Sequence, residues 1–494
     1  MILQVCRWRE SYIDLSGCSL PYISKEKRED LTMSNEKTNI GVEPVYDAKK
    51  LGNGKMLLLG FQHMFAMFGA TVLVPILTGL NMQTTLLMAG LGTLLFHVFT
   101  KLKVPAFLGS SFAFLGGYSA VTGANKTYGV DTPAEMLPYA CLGVVFAGLL
   151  YLVLALVIKL VGVKRVMKFF PPVVTGPIII AIGLCLAPSA LNNCATCWPL
   201  AIIALAIVIF FNIWGKGMAK IVPILLGVVG SYIIALILGN AAGLSWISPV
   251  DTKAIADAAW FGWPIHVKQT VFGGVDFGNT AAIIFATTTM MPIAIATMME
   301  HIGDICAIGA TCEEDFINEP GLHRTLTGDG LATSLSALFG GPANTTYGEN
   351  TGVLALSRVY DPRVVRIAAY LAILFSFSPK FAAIISAMPA GIVGGISFML
   401  YGMISAIGVR NMVEAQVDFK KSRNVIVAAV IVVCALGIKF SSGMGADVLS
   451  GIDGAVAFNV GSVTISLSGL AIAALVGIIL NAVFPDKDEV KGIQ

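Results

Sequence analysis

Long apolar runs recur along almost the whole chain, separated by short connections that collect Lys, Arg, Asp, Asn, Gly and Pro. A helix needs about 20 predominantly apolar residues to cross a bilayer. By that measure residues 57–80, 137–161, 202–214, 221–238, 283–299 and 425–438 are candidate spans, and about fourteen such segments fit between Met56 and Phe484. Two stretches interrupt the pattern. Val104-Pro105-Ala106-Phe107-Leu108-Gly109-Ser110-Ser111-Phe112 lies in the first half, and Gly340-Gly341-Pro342-Ala343-Asn344-Thr345-Thr346-Tyr347-Gly348-Glu349-Asn350 in the second. Helix breakers and an ionisable group at membrane depth are tolerated where the backbone lines a cavity, because lipid offers freed NH and C=O groups no partner. Paired interruptions in corresponding halves point to the binding site of a secondary transporter.

Composition agrees with this pattern. Hydrophobic residues make up 56% of the chain and charged residues only 12%, with a mean hydropathy of +0.81, so the chain reads as an all-α polytopic membrane protein. The net charge of +3 is too small to suggest nucleic acid as a partner, and the cations are spread over many short loops. Lys101, Lys103, residues 159–168, Lys216, Lys220, residues 358–366 and residues 410–423 fall on alternate connections, while Lys126, Lys253, Lys268, Lys380 and Lys439 are the sparse cations on the opposite side. The positive-inside rule then places both termini in the cytoplasm and favours an even number of spans.

Internal repetition is weak but ordered. Gln62-His63 is echoed by Glu300-His301, and Pro105-Ala106 by Pro342-Ala343, which aligns Phe112 with Glu349; Pro171 with Gly176-Pro177-Ile178 is echoed by Pro389 with Gly394-Gly395-Ile396. With seven spans per half, an odd number, the second copy enters the membrane with opposite polarity and the repeat is inverted. The expected organisation is a polar, disordered cytoplasmic lead over residues 1–54, a first repeat over 55–247, an extracellular connection over 248–279, a second repeat over 280–486 and a cytoplasmic tail over 487–494. Residues 1–30 have no apolar core, carry mixed charges and contain Cys6 and Cys18, so they read as neither signal peptide nor first span. Met33-Ser34-Asn35-Glu36-Lys37 reads as a more ordinary start, which leaves open whether residues 1–32 belong to the native protein.

An extended stretch leading into a short helix ends near mid-membrane, with unpaired NH groups and the positive end of the half-helix aimed at the cavity. Phe112 and Gly348-Glu349 are expected at these points, Gly348 allowing close approach of a ligand to the backbone. Glu300 is a second buried carboxylate, and Asp304, four residues on, shares its helical face. Two carboxyl groups so close in a low dielectric disfavour joint ionisation, so the pair is expected to hold a proton. His301, His63 and His97 read as packing histidines. Asp329, between Gly328 and Gly330, reads as capping or closing a turn near a cytoplasmic helix end. Cys194-Ala195-Thr196-Cys197 is a lone CxxC in a short connection with no second pair for zinc, so no metal is expected. Trp246, Trp260 and Trp263 mark the connection after Ala241 as an interfacial lid. No phosphate loop, HExxH or nucleophile elbow is present in the sequence, so neither an enzyme nor ATP-driven transport is expected, and no cofactor.

Gln62-His63-Met64-Phe65-Ala66-Met67-Phe68-Gly69-Ala70-Thr71, Leu108-Gly109-Ser110-Ser111-Phe112-Ala113-Phe114, Glu300-His301-Ile302-Gly303, Pro320-Gly321-Leu322-His323-Arg324 and Asn344-Thr345-Thr346-Tyr347-Gly348-Glu349-Asn350 closely resemble the bacterial uracil permeases of the nucleobase/ascorbate transporter family. The resemblance runs from Gln62 to Phe484. It implies fourteen membrane segments in two inverted seven-segment repeats, a core and a gate domain, and short antiparallel strands in broken segments 3 and 10. It carries base-binding roles onto Phe112, Glu300, Gly348 and Glu349, with Tyr347 lining the pocket. One departure matters: uracil permeases often have His where this chain has Asp304, so the proton-coupling role of Glu300 and Asp304 rests on an acid replacing a base.

The reading that follows is a proton-coupled uracil symporter of the cytoplasmic (inner) membrane working by alternating access, with uracil and the bilayer as partners, a homodimer as a candidate assembly, and H+ rather than Na+ as the expected coupling ion. A purine permease for xanthine or urate is the alternative within the family. An anion carrier of the same fold is disfavoured because paired acids repel an anion. A nontransporting membrane receptor is the alternative from another class.

Overall fold

In lipid, each backbone NH and C=O must find an internal partner, and the apolar runs meet that demand as helices. A computed structural model of the chain describes residues 43–216, 218–441, 455–460 and 463–484. The expectations for residues 1–42 and 487–494 lie outside the described residues. The first half comprises α1 (Asn53–Thr78), α2 (Met82–Phe99), strand β1 (Leu108–Ser110), α3 (Leu115–Gly123), α4 (Leu137–Val161), α5 (Pro172–Thr196), α6 (Trp198–Trp214) and α7 (Pro223–Ile234). The second begins with α8 (Thr280–Met290), α9 (Ile293–Cys312), α10 (Leu322–Leu338), strand β2 (Asn344–Thr346) and α11 (Gly348–Ser357). It continues with α12 (Pro362–Ser376), α13 (Pro379–Ser386), α14 (Ala390–Glu414), α15 (Ser422–Lys439), the hairpin β3 (Ala455–Val460) and β4 (Val463–Ser468), and α16 (Gly469–Val483).

Local signals set many helix ends. Asn81 accepts from the Thr84 NH at the start of α2, Asp361 from the Arg363 NH at α12 and Ser468 from the Ala471 NH at α16, each relieving a donor that has no partner within its helix. Gly79, at φ 82°, closes α1 in the left-handed conformation that glycine adopts without strain.

Eight helices among the described residues are long and apolar enough to cross a membrane, or nine when α12 and α13, bent by 91°, count as one span. The protein is therefore a mostly helical, multi-pass membrane protein. The sequence reading expects about fourteen. The two interrupted segments are each a strand followed by a short helix, and α6 and α16 have 17 and 15 residues, so none of these meets a length test built on continuous helix.

Small residues let the helices approach closely, which replaces the hydrophobic driving force that lipid removes. A Cβ on Gly330 of α10 would lie 2.5 Å from the Tyr151 Cβ and 2.6 Å from the Gly148 carbonyl of α4, and one on Gly328 would lie 3.0 Å from the Phe96 ring of α2. α5 and α14 cross antiparallel in the same manner, with Gly408 against the Gly176 carbonyl and Gly394 against Ala190 and Cys194.

The lead departs from the sequence reading, and two connections make contacts that it did not assign. Within the lead expected to be disordered, Val45 bridges Val359, the Ala48 NH donates to Asp361 Oδ2 at 2.8 Å, and Arg363 pairs with Asp47 at 2.6 Å. Val45, Ala48 and Leu51 are the reason, since they supply apolar area that packs with Leu59 and Val364. Cys194 and Cys197 are buried at the α5–α6 junction and unbridged, with the Cys197 thiol directed to the Trp246 carbonyl at 3.5 Å. In the connection before α8, Lys380 sits 5.3 Å over the Trp260 ring and donates to the Ile255 and Ala256 carbonyls, and Phe261 stacks on Phe377 at 5.8 Å.

Candidate functional site

The two interrupted segments meet. β1 and β2 pair antiparallel with Leu108 opposite Thr346, Gly109 opposite Thr345 and Ser110 opposite Asn344. A three-residue ladder leaves backbone groups open on its outer edges, and at membrane depth these must be met by side chains. Thr93 of α2 accepts from the Leu108 NH at 2.9 Å and donates to its carbonyl at 3.2 Å; Thr333 of α10 does the same for Asn344, at 3.2 and 3.1 Å. Asn344 also donates to the Met88 and Ala332 carbonyls. The threonines and asparagine that look like polar intrusions in apolar runs are the frame that holds the strands.

Each strand delivers a half-helix. After β1, Phe112 opens a short 3-10 turn that runs into α3; after β2, Tyr347 precedes α11, whose first turn holds Gly348 and Glu349. A carboxylate in a first helical turn meets free NH groups and the positive end of the dipole. Tyr347 is buried, and its hydroxyl donates to the Ser110 carbonyl at 2.9 Å and accepts from Thr71 of α1 at 3.2 Å, tying the second segment to the first. A Cβ on Gly109 would strike the Tyr347 ring, so this glycine is what allows the ring to lie flat across β1.

α9 supplies the other acids. Glu300 and Glu349 are partly exposed, whereas Asp304 is buried and accepts from the Thr346 hydroxyl at 2.7 Å. Asp304, Asp329 and Glu349 lie within electrostatic reach of Glu300, and Asp329 and Glu349 within reach of Asp304. The Phe112 ring meets Tyr401 of α14 edge-on at 5.7 Å. The structure thus brings Phe112, Glu300, Asp304, Tyr347, Gly348 and Glu349 into one region between α9, the strand pair and α14. Chemically, the region offers hydrogen-bond acceptors from two carboxyl groups, NH donors from two half-helix starts, and aromatic faces.

Several participants were not legible in the sequence. Tyr401 and Thr346 stand in apolar and Thr-rich contexts with no distinguishing signal. Asp329 is a correction: rather than closing a turn at a helix end, it lies mid-way along α10, fully buried, with Oδ2 2.9 Å from Nδ1 of His301. The flanking glycines mislead because they serve helix contacts with Phe96 and Tyr151, not a turn. His301 is buried as expected, with an acidic partner that the sequence reading did not assign. Asn350 donates to the His63 carbonyl at 2.9 Å, and His97 Nε2 lies 2.9 Å from the Ala106 carbonyl, which anchors the segment entering β1.

A family model described as the Permease family matches residues 54–443. A uracil permease of Bacillus caldolyticus is 40% identical over 445 residues, covering 88% of this chain and 93% of its own length. A uracil permease of Bacillus subtilis (strain 168) is 36% identical over 470 residues, covering 92% and 98%. These relatives are permeases, that is transporters and not enzymes. Among solved structures, the transmembrane domain of a cyanobacterium bicarbonate transporter, BicA, superposes with a TM-score of 0.60 at 14% identity, covering 89% of this chain and 99% of that one; at this identity the likeness concerns the fold alone.

Proposed function

Since the chain belongs to the Permease family, we propose that it imports uracil across the cytoplasmic membrane as a proton-coupled symporter working by alternating access. The observation that carries this reading is the meeting of two strand-to-half-helix segments beside Glu300, which sets Phe112, Tyr347, Gly348 and Glu349 around one polar niche inside an apolar bundle. Uracil presents two NH donors and two carbonyl acceptors on a flat ring. Glu300 and Glu349 accept from the donors, backbone NH groups at Phe112 and Gly348 donate to the carbonyls, and Tyr347 lines the pocket, so that every polar edge is met. A neutral base is also far cheaper to desolvate than an ion.

Glu300 and Asp304 share the coupling proton. Asp304 is one helical turn from Glu300 and is bound to Thr346 of β2, so a change in its protonation is felt by both the acid and the strand that frames the base. Fourteen segments in two inverted repeats, split into core and gate, are supported by the strand pairing of the two interrupted segments and by the α5–α14 crossing, where the echoed Gly176 and Gly394 each pack on the partner helix. The loop cations support cytoplasmic termini and an inner-membrane location. A homodimer is part of the proposal.

An anion carrier shares the fold of the bicarbonate transporter, but Asp304, Asp329 and Glu349 gathered around Glu300 argue against an anionic substrate. A purine permease keeps the same architecture. The test is uptake of labelled uracil in proteoliposomes under an imposed pH gradient, with xanthine as competitor, with and without a protonophore or sodium. Uptake that xanthine abolishes at equal concentration moves the assignment to purines, and accumulation that needs sodium but no pH gradient removes the proton.

A further inference from the structure

The groups proposed to hydrogen-bond the base all stand on one side of it. Glu300 is on α9, Phe112 leads into α3, and Gly348 and Glu349 open α11, while the opposite side is formed by α14. The polar atoms of uracil, N1-H, C2=O, N3-H and C4=O, follow one another around the ring and leave the C5–C6 edge with neither donor nor acceptor. Such an edge gains nothing from carboxyl or NH groups and is met best by apolar surface. A purine carries its second ring fused on this same edge.

α14 offers an apolar side chain where the niche is open. Tyr401 is buried and already engaged edge-on with the Phe112 ring. Gly348 is partly exposed, and among the described residues a Cβ added there would meet a single atom beyond its own helix within 4 Å, Cδ1 of Ile407 at 3.4 Å. Ile407 is 37% exposed, whereas the adjacent Gly408 packs on the Gly176 carbonyl of α5. The exposed area of Ile407 therefore lies beside Gly348 and away from the α5 contact. Asn411, one turn further along α14, points the same way, because its Nδ2 lies 3.3 Å from where a Cβ on Gly303 of α9 would stand.

We propose that Ile407 is a specificity-determining residue, which packs on the C5–C6 edge of uracil and leaves no room there for the second ring of a purine. This rests on the uracil reading of the site. The missing side chain at Gly348 lets a base come close to the start of α11, and Ile407 limits how far a ring extends past that point. Its branched Cβ makes the side chain stiff, so the limit has a fixed shape. Shortening Ile407 opens space without touching any group that hydrogen-bonds the base. Uracil then loses an apolar contact, a purine loses an obstacle, and the ratio of the two affinities changes.

The experiment measures equilibrium binding of uracil and of xanthine to the purified full-length protein by calorimetry, with thermal unfolding recorded for each variant. Ile407→Val removes only the Cδ1 methyl group and is expected to fold as wild type does and to lower the uracil-to-xanthine affinity ratio by about tenfold; Ile407→Ala is expected to lower it further. Val409, two residues on and 48% exposed, lies on the opposite side of α14, and Val409→Ala is expected to keep the wild-type ratio. An unchanged ratio in cooperatively melting Ile407→Val and Ile407→Ala overturns this inference alone, as does an equal shift in Val409→Ala. A wild-type protein that does not prefer uracil to xanthine overturns the functional reading and this inference with it.

Discussion

Gly109→Ala probes whether the strand pair is the frame of the site. The added Cβ falls on the edge of the Tyr347 ring and 2.8 Å from the Thr71 hydroxyl, well inside contact distance. Tyr347 cannot move toward the bilayer, because it is buried and its hydroxyl is held between Ser110 and Thr71. Overpacking of this kind costs about 1 to 3 kcal/mol. If the ring retreats, the Ser110 carbonyl loses its donor at 2.9 Å and Thr71 its acceptor at 3.2 Å, each worth about 1 kcal/mol or more when left unmet in a buried place. The sum, roughly 3 to 5 kcal/mol, is a sizeable part of a total stability of about 5 to 15 kcal/mol. Tyr347→Phe separates the two contributions, since it removes the hydroxyl and keeps the ring, and is expected to cost about 2 kcal/mol, the share of the two hydrogen bonds alone. Thermal unfolding in detergent reads the stability, and calorimetric uracil binding reads the site, because Gly348 and Glu349 follow Tyr347 directly. Gly109→Ala is expected to melt several degrees lower and to bind uracil at least about tenfold more weakly. A variant with wild-type melting and wild-type affinity would refute the framing role.

Glu300→Gln and Glu349→Gln each replace an acceptor-only carboxylate with a group that turns NH donors toward the donors of the base, and calorimetry is expected to show uracil affinity lower by roughly one to two decades; undiminished affinity removes the residue from the site. Asp304→Asn is expected to keep measurable uracil binding but to blunt both gradient-driven accumulation and the pH dependence of uptake in sodium-free proteoliposomes, and full accumulation would mean that the proton travels elsewhere. Thr346→Val leaves Asp304 without the donor that holds it at 2.7 Å, so the pH optimum of uptake is expected to move while substrate selectivity stays, a split that competition assays with xanthine check. Gly148→Ala forces α4 off the Gly330 carbonyl, which a Cβ would approach to 2.5 Å, and is expected to lower the melting temperature in detergent with about 1 to 3 kcal/mol of overpacking.

Much of the architecture is written locally. Length and hydropathy alone decide that a stretch such as Leu137–Val161 crosses the bilayer as a helix, because lipid leaves the backbone no other partner. The two interruptions were equally legible, since Pro105, Pro342 and the glycines around them disfavour a continuous helix, and the acids Glu300, Asp304 and Glu349 stand out where charge is costly. What only the tertiary structure decided is which distant groups face one another. Thr93 and Thr333 look like ordinary helix residues until the strand edges arrive beside them. Gly328-Asp329-Gly330 has the composition of a turn, and its glycines became contact points for Phe96 and Tyr151 only because α2 and α4 pack against α10. The same packing turned Asp329 inward to His301. Periodicity records the depth and the buried face of each segment, which depend on that segment and the lipid alone; the partner of a buried polar group depends on how helices far apart in the chain cross, and no local pattern encodes that crossing.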